Sequence, residues 1–266
     1  MPPVISLFGM KINAVDMAAA VETISEWCAK PRGQSCRYVV TPNVDHAVMF
    51  QTDTALQQVY ASAAMVLADG APVVLASRLL RKSLPERVAG SDLVPALFEA
   101  RSQAGAETTQ PLRVFLLGAA AGVADRAAVL IHERWPGVEV VGTLSPPLGF
   151  EHDESSNEAI LRAVASCQPD LVLIGLGAPK QELWIGRHAD RLEAKAALCV
   201  GATIDFLAGE KSRAPRFLQK LGLEWVHRMA TEPSRLAKRY ARDAWVFPQL
   251  VWREWRSKEY AVSDKK

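Results

Sequence analysis

Three segments of this chain are apolar at nearly every position and of strand length: Leu112–Leu117, Leu171–Ile174 and Ala196–Val200. Each is followed at once by a glycine, Gly118, Gly175 and Gly201. A strand with one wet face alternates apolar and polar residues, so a run without alternation is buried on both faces. Such runs separated by segments of helical spacing predict a largely parallel sheet with helices on both faces, a Rossmann-like α/β fold. Further strands are expected at Val4–Phe8, Arg37–Val40, Met65–Ala68 and Val138–Val141. Helices are expected over Ala14–Ala29, from Asn43 through Phe50, from a Ser91-Asp92 cap through Ala100, up to about Trp135, over Ser155–Cys167 and from Lys180. Ser102–Gln110 reads as a surface linker. Ligands of such sheets lie beyond the carboxyl ends of the strands. The loops to weigh are therefore Thr41–Asn43, Asp69–Pro72, Gly118–Gly122, Gly175–Glu182 and Gly201–Asp205.

Charge divides the chain unevenly. From Lys211 to Lys266 there are 14 Lys/Arg against 6 Asp/Glu, a balance of +8, which leaves the first 210 residues at −6. Four of the seven tryptophans (Trp225, Trp245, Trp252, Trp255) fall in the same basic segment. The expected organisation is an α/β body over 1–210 with a C-terminal helical basic appendage over 211–266. A cationic, aromatic-rich extension suits a phosphate-bearing surface, either a membrane leaflet or a nucleic acid. In the appendage, Leu236, Tyr240, Ala244 and Phe247 share one helical face, with Arg235, Arg239 and Arg242 along its flank. Packing on the body with a solvated basic flank is the alternative reading.

No segment has the length of uncharged apolar residues that a membrane span requires. The start of the chain lacks the basic head and apolar run of a signal peptide, so a cytoplasmic protein is expected. Cys28, Cys36, Cys167 and Cys199 form no C-x-x-C pair and read as reduced thiols. The five histidines show no metal-ligand spacing, and no metal or cofactor is expected.

Three loops carry the chemistry. Asp69-Gly70-Ala71-Pro72 places a carboxylate at the end of an apolar strand. It could serve as general base, metal ligand or ribose acceptor, or simply cap a helix. Gly118-Ala-Ala-Ala-Gly122 joins strand to helix but lacks the dinucleotide fingerprint and the P-loop Gly-Lys-Ser/Thr, which weakens a dehydrogenase or NTPase reading. In Gly175–Glu182, Gly177 permits close backbone approach to a ligand. Lys180 opposes the helix macrodipole, which invites a functional explanation.

Together these loops resemble the WecG/TagA/CpsF family of bacterial glycosyltransferases. The carrying segments are Thr41-Pro42-Asn43, Ala68-Asp69-Gly70 with Pro72, Arg87 with Gly90-Ser91-Asp92, Phe115–Gly118, Gly175–Glu182, Arg213-Ala214-Pro215, Gly222–Trp225, Arg228, Glu232-Pro233 and Arg239-Tyr240, in that order. The turn Gly142–Phe150 departs from the form found in many members. The resemblance implies inverting transfer of a sugar, N-acetylmannosamine-type or glucose, from a UDP-sugar donor. The implied acceptor is a saccharide on polyprenyl pyrophosphate, at the inner face of the cell membrane. It also implies Asp69 as base, with Thr41, Asn43, Arg87 and Gln181 lining the pocket. Arg213, Arg216 and Arg228 are candidates for the leaving group or the lipid pyrophosphate. A homo-oligomer is a possible assembly. The competing class is a non-catalytic nucleotide or nucleic-acid binding module, disfavoured by the lack of a nucleic-acid motif.

Overall fold

The computed structural model describes residues 3–104, 110–215, 218, 224–231 and 233–263. Of the expected site residues, Arg216 lies outside these, as do Gly222, Leu223 and Glu232 of the family segments and most of the Ser102–Gln110 linker.

Six strands form the main sheet: Arg37–Val40 (β3), Met65–Val66 (β4), Leu112–Gly118 (β5), Val138–Leu144 (β6), Leu171–Gly175 (β7) and Ala196–Cys199 (β8). They are all parallel, in the order β4-β3-β8-β7-β5-β6. Successive side chains leave a strand on opposite faces, and both faces here are dry. Tyr38, Val40, Phe115, Leu117, Val172, Ile174, Ala197 and Cys199 fill one core. It is closed by helices Val44–Met49 (α2), Thr54–Ser62 (α3), Ala71–Leu79 (α4), Glu154–Cys167 (α7) and Lys180–His188 (α8). Val39, Val114, Leu116, Leu171, Leu173, Ala196 and Leu198 fill the other, under Met17–Ala29 (α1), Gly90–Gln103 (α5), Val123–Arg134 (α6) and Thr203–Leu207 (α9). This two-sided burial is the reason the strand sequences do not alternate.

The chain begins with an antiparallel hairpin, Val4–Leu7 (β1) and Met10–Asn13 (β2). Its two turn residues, Phe8 (φ 54°) and Gly9 (φ 83°), are both left-handed, the conformation that matches the twist of a two-residue hairpin. Asn13 Oδ1 accepts from Val66 N, so the hairpin seals the β4 edge. At the functional edge the glycines that end β5 and β7 are sterically required. A Cβ on Gly118 (φ 121°) would sit 2.5 Å from Gly175 O, and one on Gly175 would sit 2.9 Å from Gly201 O. The three strand ends therefore lie flush against one another.

Two helices close the chain, Glu224–Thr231 (α10) and Pro233–Ser263 (α11). The inward stripe of α11 is Leu236, Tyr240, Asp243, Phe247 and Leu250, of which Leu236, Asp243 and Leu250 are buried. Phe247 meets Phe8 edge-on at 5.2 Å. The Glu254 carboxylate accepts from Phe8 N and pairs with Lys82. The opposite side carries Trp245 and Trp252, 76% and 58% exposed. Among the described residues no helix is long and apolar enough to cross a membrane.

The starts of the first and fifth helices differ from the sequence reading. The fifth helix starts at Gly90 with Ala89 at its N-cap and no side-chain cap, so Ser91-Asp92 lies inside its first turn. Asp92 instead pairs with arginines, described below. The first helix starts at Met17, because Asp16 accepts from Ala19 N and caps it there.

Candidate functional site

A cavity of about 300 Å³ lies where the ends of β3 and β4 meet α10 and α11. Its floor is Asn43, Val44, Asp45 and Asp69–Pro72; Arg87 stands at its side. The roof is Glu224, Trp225, Arg239, Tyr240, Asp243, Ala244, Phe247 and Pro248. Trp225 and Tyr240 pack edge-on, with ring centroids 6.1 Å apart. The basic appendage thus builds half of the wall. Its aromatic residues split between that wall and the outer surface.

Asp69 follows β4, and its backbone N–H donates to Pro42 O at 2.9 Å, tying the two strand ends together. The N-cap of α4 is Gly70, without a side-chain cap bond, and Pro72 occupies the first turn. The helix-capping alternative for Asp69 therefore does not hold. Its carboxylate is one-third exposed and lies 3.7 Å from the Arg87 guanidinium.

Arg87 also reaches Asp92 at 2.6 Å and Glu224 at 3.0 Å. Arg213 binds the same two carboxylates, at 2.8 and 3.2 Å. Burial opposes the charge on Arg213, and the Asp92 and Glu224 carboxylates more than restore it, holding its pKa above the ordinary value. Two arginines and two carboxylates thus fasten α10 over the β4 end. Arg228 lies on α10.

On the opposite wall Asp45, almost fully buried, pairs with Arg239 at 3.4 Å and with Arg242. Asp243 sits beside them; its burial and the neighbouring Asp45 raise its pKa against the pull of Arg242 and Arg239. Arg239 Nε is buried and finds no hydrogen-bond partner among the described residues.

Asn43 caps α2, its Oδ1 accepting from His46 N. Thr41 faces away from the cavity, with Oγ1 donating to Cys199 O at 3.0 Å. Gln181 is also internal. Its Oε1 accepts from Gly201 N at 3.1 Å, and its Nε2 donates to Glu182 Oε1 at 2.8 Å. Glu182 Oε1 meets His46 Nε2 at 3.2 Å, both residues buried. Lys180 pairs with Glu151 at 2.9 Å and stands over the Phe150 ring, joining the loops after β6 and β7. Gly177 (φ 78°) has open space where a Cβ would project.

Of the residues singled out in the sequence, Asp69, Asn43 and Arg87 line one cavity, and Arg213 joins it through shared carboxylates. Thr41 and Gln181 brace the strand ends behind it. Lys180 and Gly177 are absent from its lining. Sequence reasoning missed Asp45, His46 and Asp243, and it gave no role to Glu182 and Glu224, although both stand in the family segments. His46 was weighed only for metal-ligand spacing, although it stands three residues after Asn43, where a capping box closes. Among the described residues no cluster of His, Cys, Asp and Glu could hold a metal ion.

The model of the Glycosyl transferase WecG/TagA/CpsF family matches residues 5–261. An N-acetylglucosaminyldiphosphoundecaprenol N-acetyl-beta-D-mannosaminyltransferase of Staphylococcus aureus (strain MRSA252) is 27% identical over 238 residues, covering 88% of this chain and 87% of its own length. The protein of the same name from strain NCTC 8325 / PS 47 is 26% identical over the same shares.

Proposed function

The chain belongs to the WecG/TagA/CpsF family of glycosyltransferases, and on that premise we propose that it is an inverting enzyme with Asp69 as general base. The donor is a UDP-sugar of N-acetylmannosamine or glucose type. The acceptor is a saccharide on polyprenyl pyrophosphate. The observation that carries this reading is the position of Asp69, at the end of a parallel strand, on the wall of a cavity and 3.7 Å from Arg87. The S. aureus relatives, named for mannosaminyl transfer to a diphosphoundecaprenol-linked sugar, support the choice of acceptor and donor class.

In the step, the acceptor hydroxyl oxygen attacks the anomeric carbon as its proton passes to the Asp69 carboxylate. The bond from that carbon to the UDP phosphate oxygen breaks, and UDP leaves with the electron pair on the opposite side, which inverts the centre. Cations fixed around the cavity stabilise the charge that develops on the phosphates. Arg87 and Arg239 are the cavity-lining cations, and guanidinium groups suit phosphate oxygens. Arg213 supports Arg87 through Asp92 and Glu224, and Arg216 and Arg228 belong to the same basic segment. Exposed Trp245 and Trp252 on the outer side of α11, with the appendage's cationic balance, support a peripheral position on the inner face of the membrane.

The test is transfer from a panel of UDP-sugars to a short-chain polyprenyl-pyrophosphate-linked acceptor, with and without chelator. Turnover from one donor, indifferent to chelator and lost in Asp69→Asn, is expected. Near-normal turnover by a folded Asp69→Asn protein would remove Asp69 from the role of base.

A further inference from the structure

A buried chain of hydrogen bonds runs behind the cavity, linking the ends of three strands. It begins at Asn43 after β3. Its Oδ1 lies 2.9 Å from His46 Nδ1, and His46 Nε2 lies 3.2 Å from Glu182 Oε1 on α8, after β7. The same Oε1 accepts from Gln181 Nε2, whose own Oε1 accepts from Gly201 N after β8. Of this chain only Asn43 lines the cavity, across the floor from Asp69.

The protons along the chain follow from its ends. The backbone N–H of His46 donates to the Asn43 side chain, so the atom it meets is the carbonyl oxygen. Asn43 N–H also points at Nδ1, from 3.4 Å, and closes the capping box on a bare nitrogen, but the shorter contact of 2.9 Å to Oδ1 needs a proton on Nδ1, as the contact with the Glu182 carboxylate needs one on Nε2. The two shorter contacts favour the imidazolium, and a neutral ring would keep the bond from Asn43 N–H instead. With its oxygen held from two sides, Asn43 has only its Nδ2 donors to offer the cavity. Were Nδ1 to lose its proton, two lone pairs would confront each other. The carboxamide would turn, presenting an acceptor where a donor had been.

We propose that His46, clamped by Glu182, is a positioning residue that aims the Asn43 amide donors at the substrate beside Asp69, and that its protonation sets which end of that amide the substrate meets. The role of Asn43 in binding substrate rests on the glycosyltransferase reading; the buried chain itself does not.

The surroundings favour the charged state. Burial lowers the His46 pKa, but Glu182, through charge and hydrogen bond, with Asp45 and Asp69, raises it above the ordinary 6.5. The other groups facing this cluster are Arg239 and Arg242, which pair with Asp45 from α11, and Asp243 beside them. Tyr60 from α3 and the Cys199 thiol from β8 both lie within the field of Glu182, which together with burial keeps them neutral.

Two substitutions separate the ends of the imidazole. The amide of His46→Asn can reach Asn43 but not Glu182, whereas that of His46→Gln can reach Glu182 but not Asn43. In the full-length protein, side-chain amide and imidazole resonances are followed by NMR across pH. The Asn43 amide is expected to shift with the midpoint of His46, above 6.5, and to be insensitive to pH in His46→Gln. Transfer assays on the same proteins are expected to show kcat falling about 10²-fold in His46→Gln, with KM for donor little changed. The alkaline limb of the wild-type kcat profile at the His46 midpoint should vanish in that variant, and His46→Asn should recover much of the loss. A neutral His46 at pH 6.5, or an Asn43 resonance indifferent to its titration, overturns the proposal whatever the enzyme transfers. A coupled titration with wild-type kcat in folded His46→Gln overturns the catalytic half. If no donor supports turnover, the NMR result still decides the buried chain, and the reading of Asp69 fails separately.

Discussion

Asp69 and Arg87 are legible as residues but not as a pair, being eighteen positions apart in the chain. Asp69→Asn keeps the volume and the hydrogen-bonding shape of the side chain, so it is expected to abolish transfer with little change in thermal midpoint. Turnover and a melting curve on one preparation check both. His46 also makes a stability prediction. Its folded pKa lies above the ordinary value, so its stabilising contribution is fully present below about pH 6.5 and is lost as pH rises through the folded value. In His46→Gln the amide still reaches Glu182 but carries no charge, so the charge-assisted part of the pair is lost. The gap in urea midpoint between wild type and His46→Gln should thus be widest in mild acid and narrow toward alkaline pH. The cysteines behave as buried thiols: burial pushes Cys28 and Cys36 up to about 12 and Cys199 well above its ordinary value. Cys167 is half-exposed, so a thiol reagent at neutral pH should label Cys167 first in the native protein, as peptide mapping would show.

At the scale of elements, the long ones were visible in the sequence. The strands β5, β7 and β8 and the helices α1, α6 and α7 carry enough periodic apolar residues for the pattern to exceed local noise. The hairpin strand β2 and the helix α3 were not foreseen, and β4 proved shorter than expected, two residues against four. Short elements bury few side chains, and their identity depends on what they pair with. Caps are local and their energies follow accordingly. Asp53 accepts from Leu56 N at the start of α3, and Asp53→Ala should lower stability by about 1 kcal/mol in a denaturant titration. Gly118→Ala is a harsher change. Its Cβ would collide with a carbonyl rather than a movable side chain, at a φ that alanine avoids. A drop in stability larger than that of the cap variant is expected, together with lost transfer, because the ends of β5 and β7 must part.

For the whole molecule, the decisive feature is that α10 and α11 roof the cavity. Removing residues from Lys211 onward would strip that wall and expose the α2 face that covers Leu250 and Phe247. Loss of activity in such a truncation therefore speaks to the site as much as to membrane contact. Substitution of Trp245 and Trp252 by serine separates the two, since both side chains point outward. Binding to anionic vesicles is expected to fall severalfold, while transfer to a short, water-soluble acceptor stays near the wild-type rate. Unchanged sedimentation with vesicles would remove these tryptophans from the membrane contact. The sequence alone determined the layered α/β architecture, because two-sided burial leaves its mark on every residue of a strand. It also marked Asp69, Asn43 and Arg87, because ordered motifs fix residue types at strand ends. Tertiary structure alone decided that Thr41 and Gln181 brace the frame rather than line the cavity. It also decided that Arg87 and Arg213 share Asp92 and Glu224, and that His46 and Glu182, 136 residues apart, meet as a buried pair. Contacts of that range are set by the packing of α11 against α2 and of α8 against α3, and a buried charge is stable only where such packing supplies its partner.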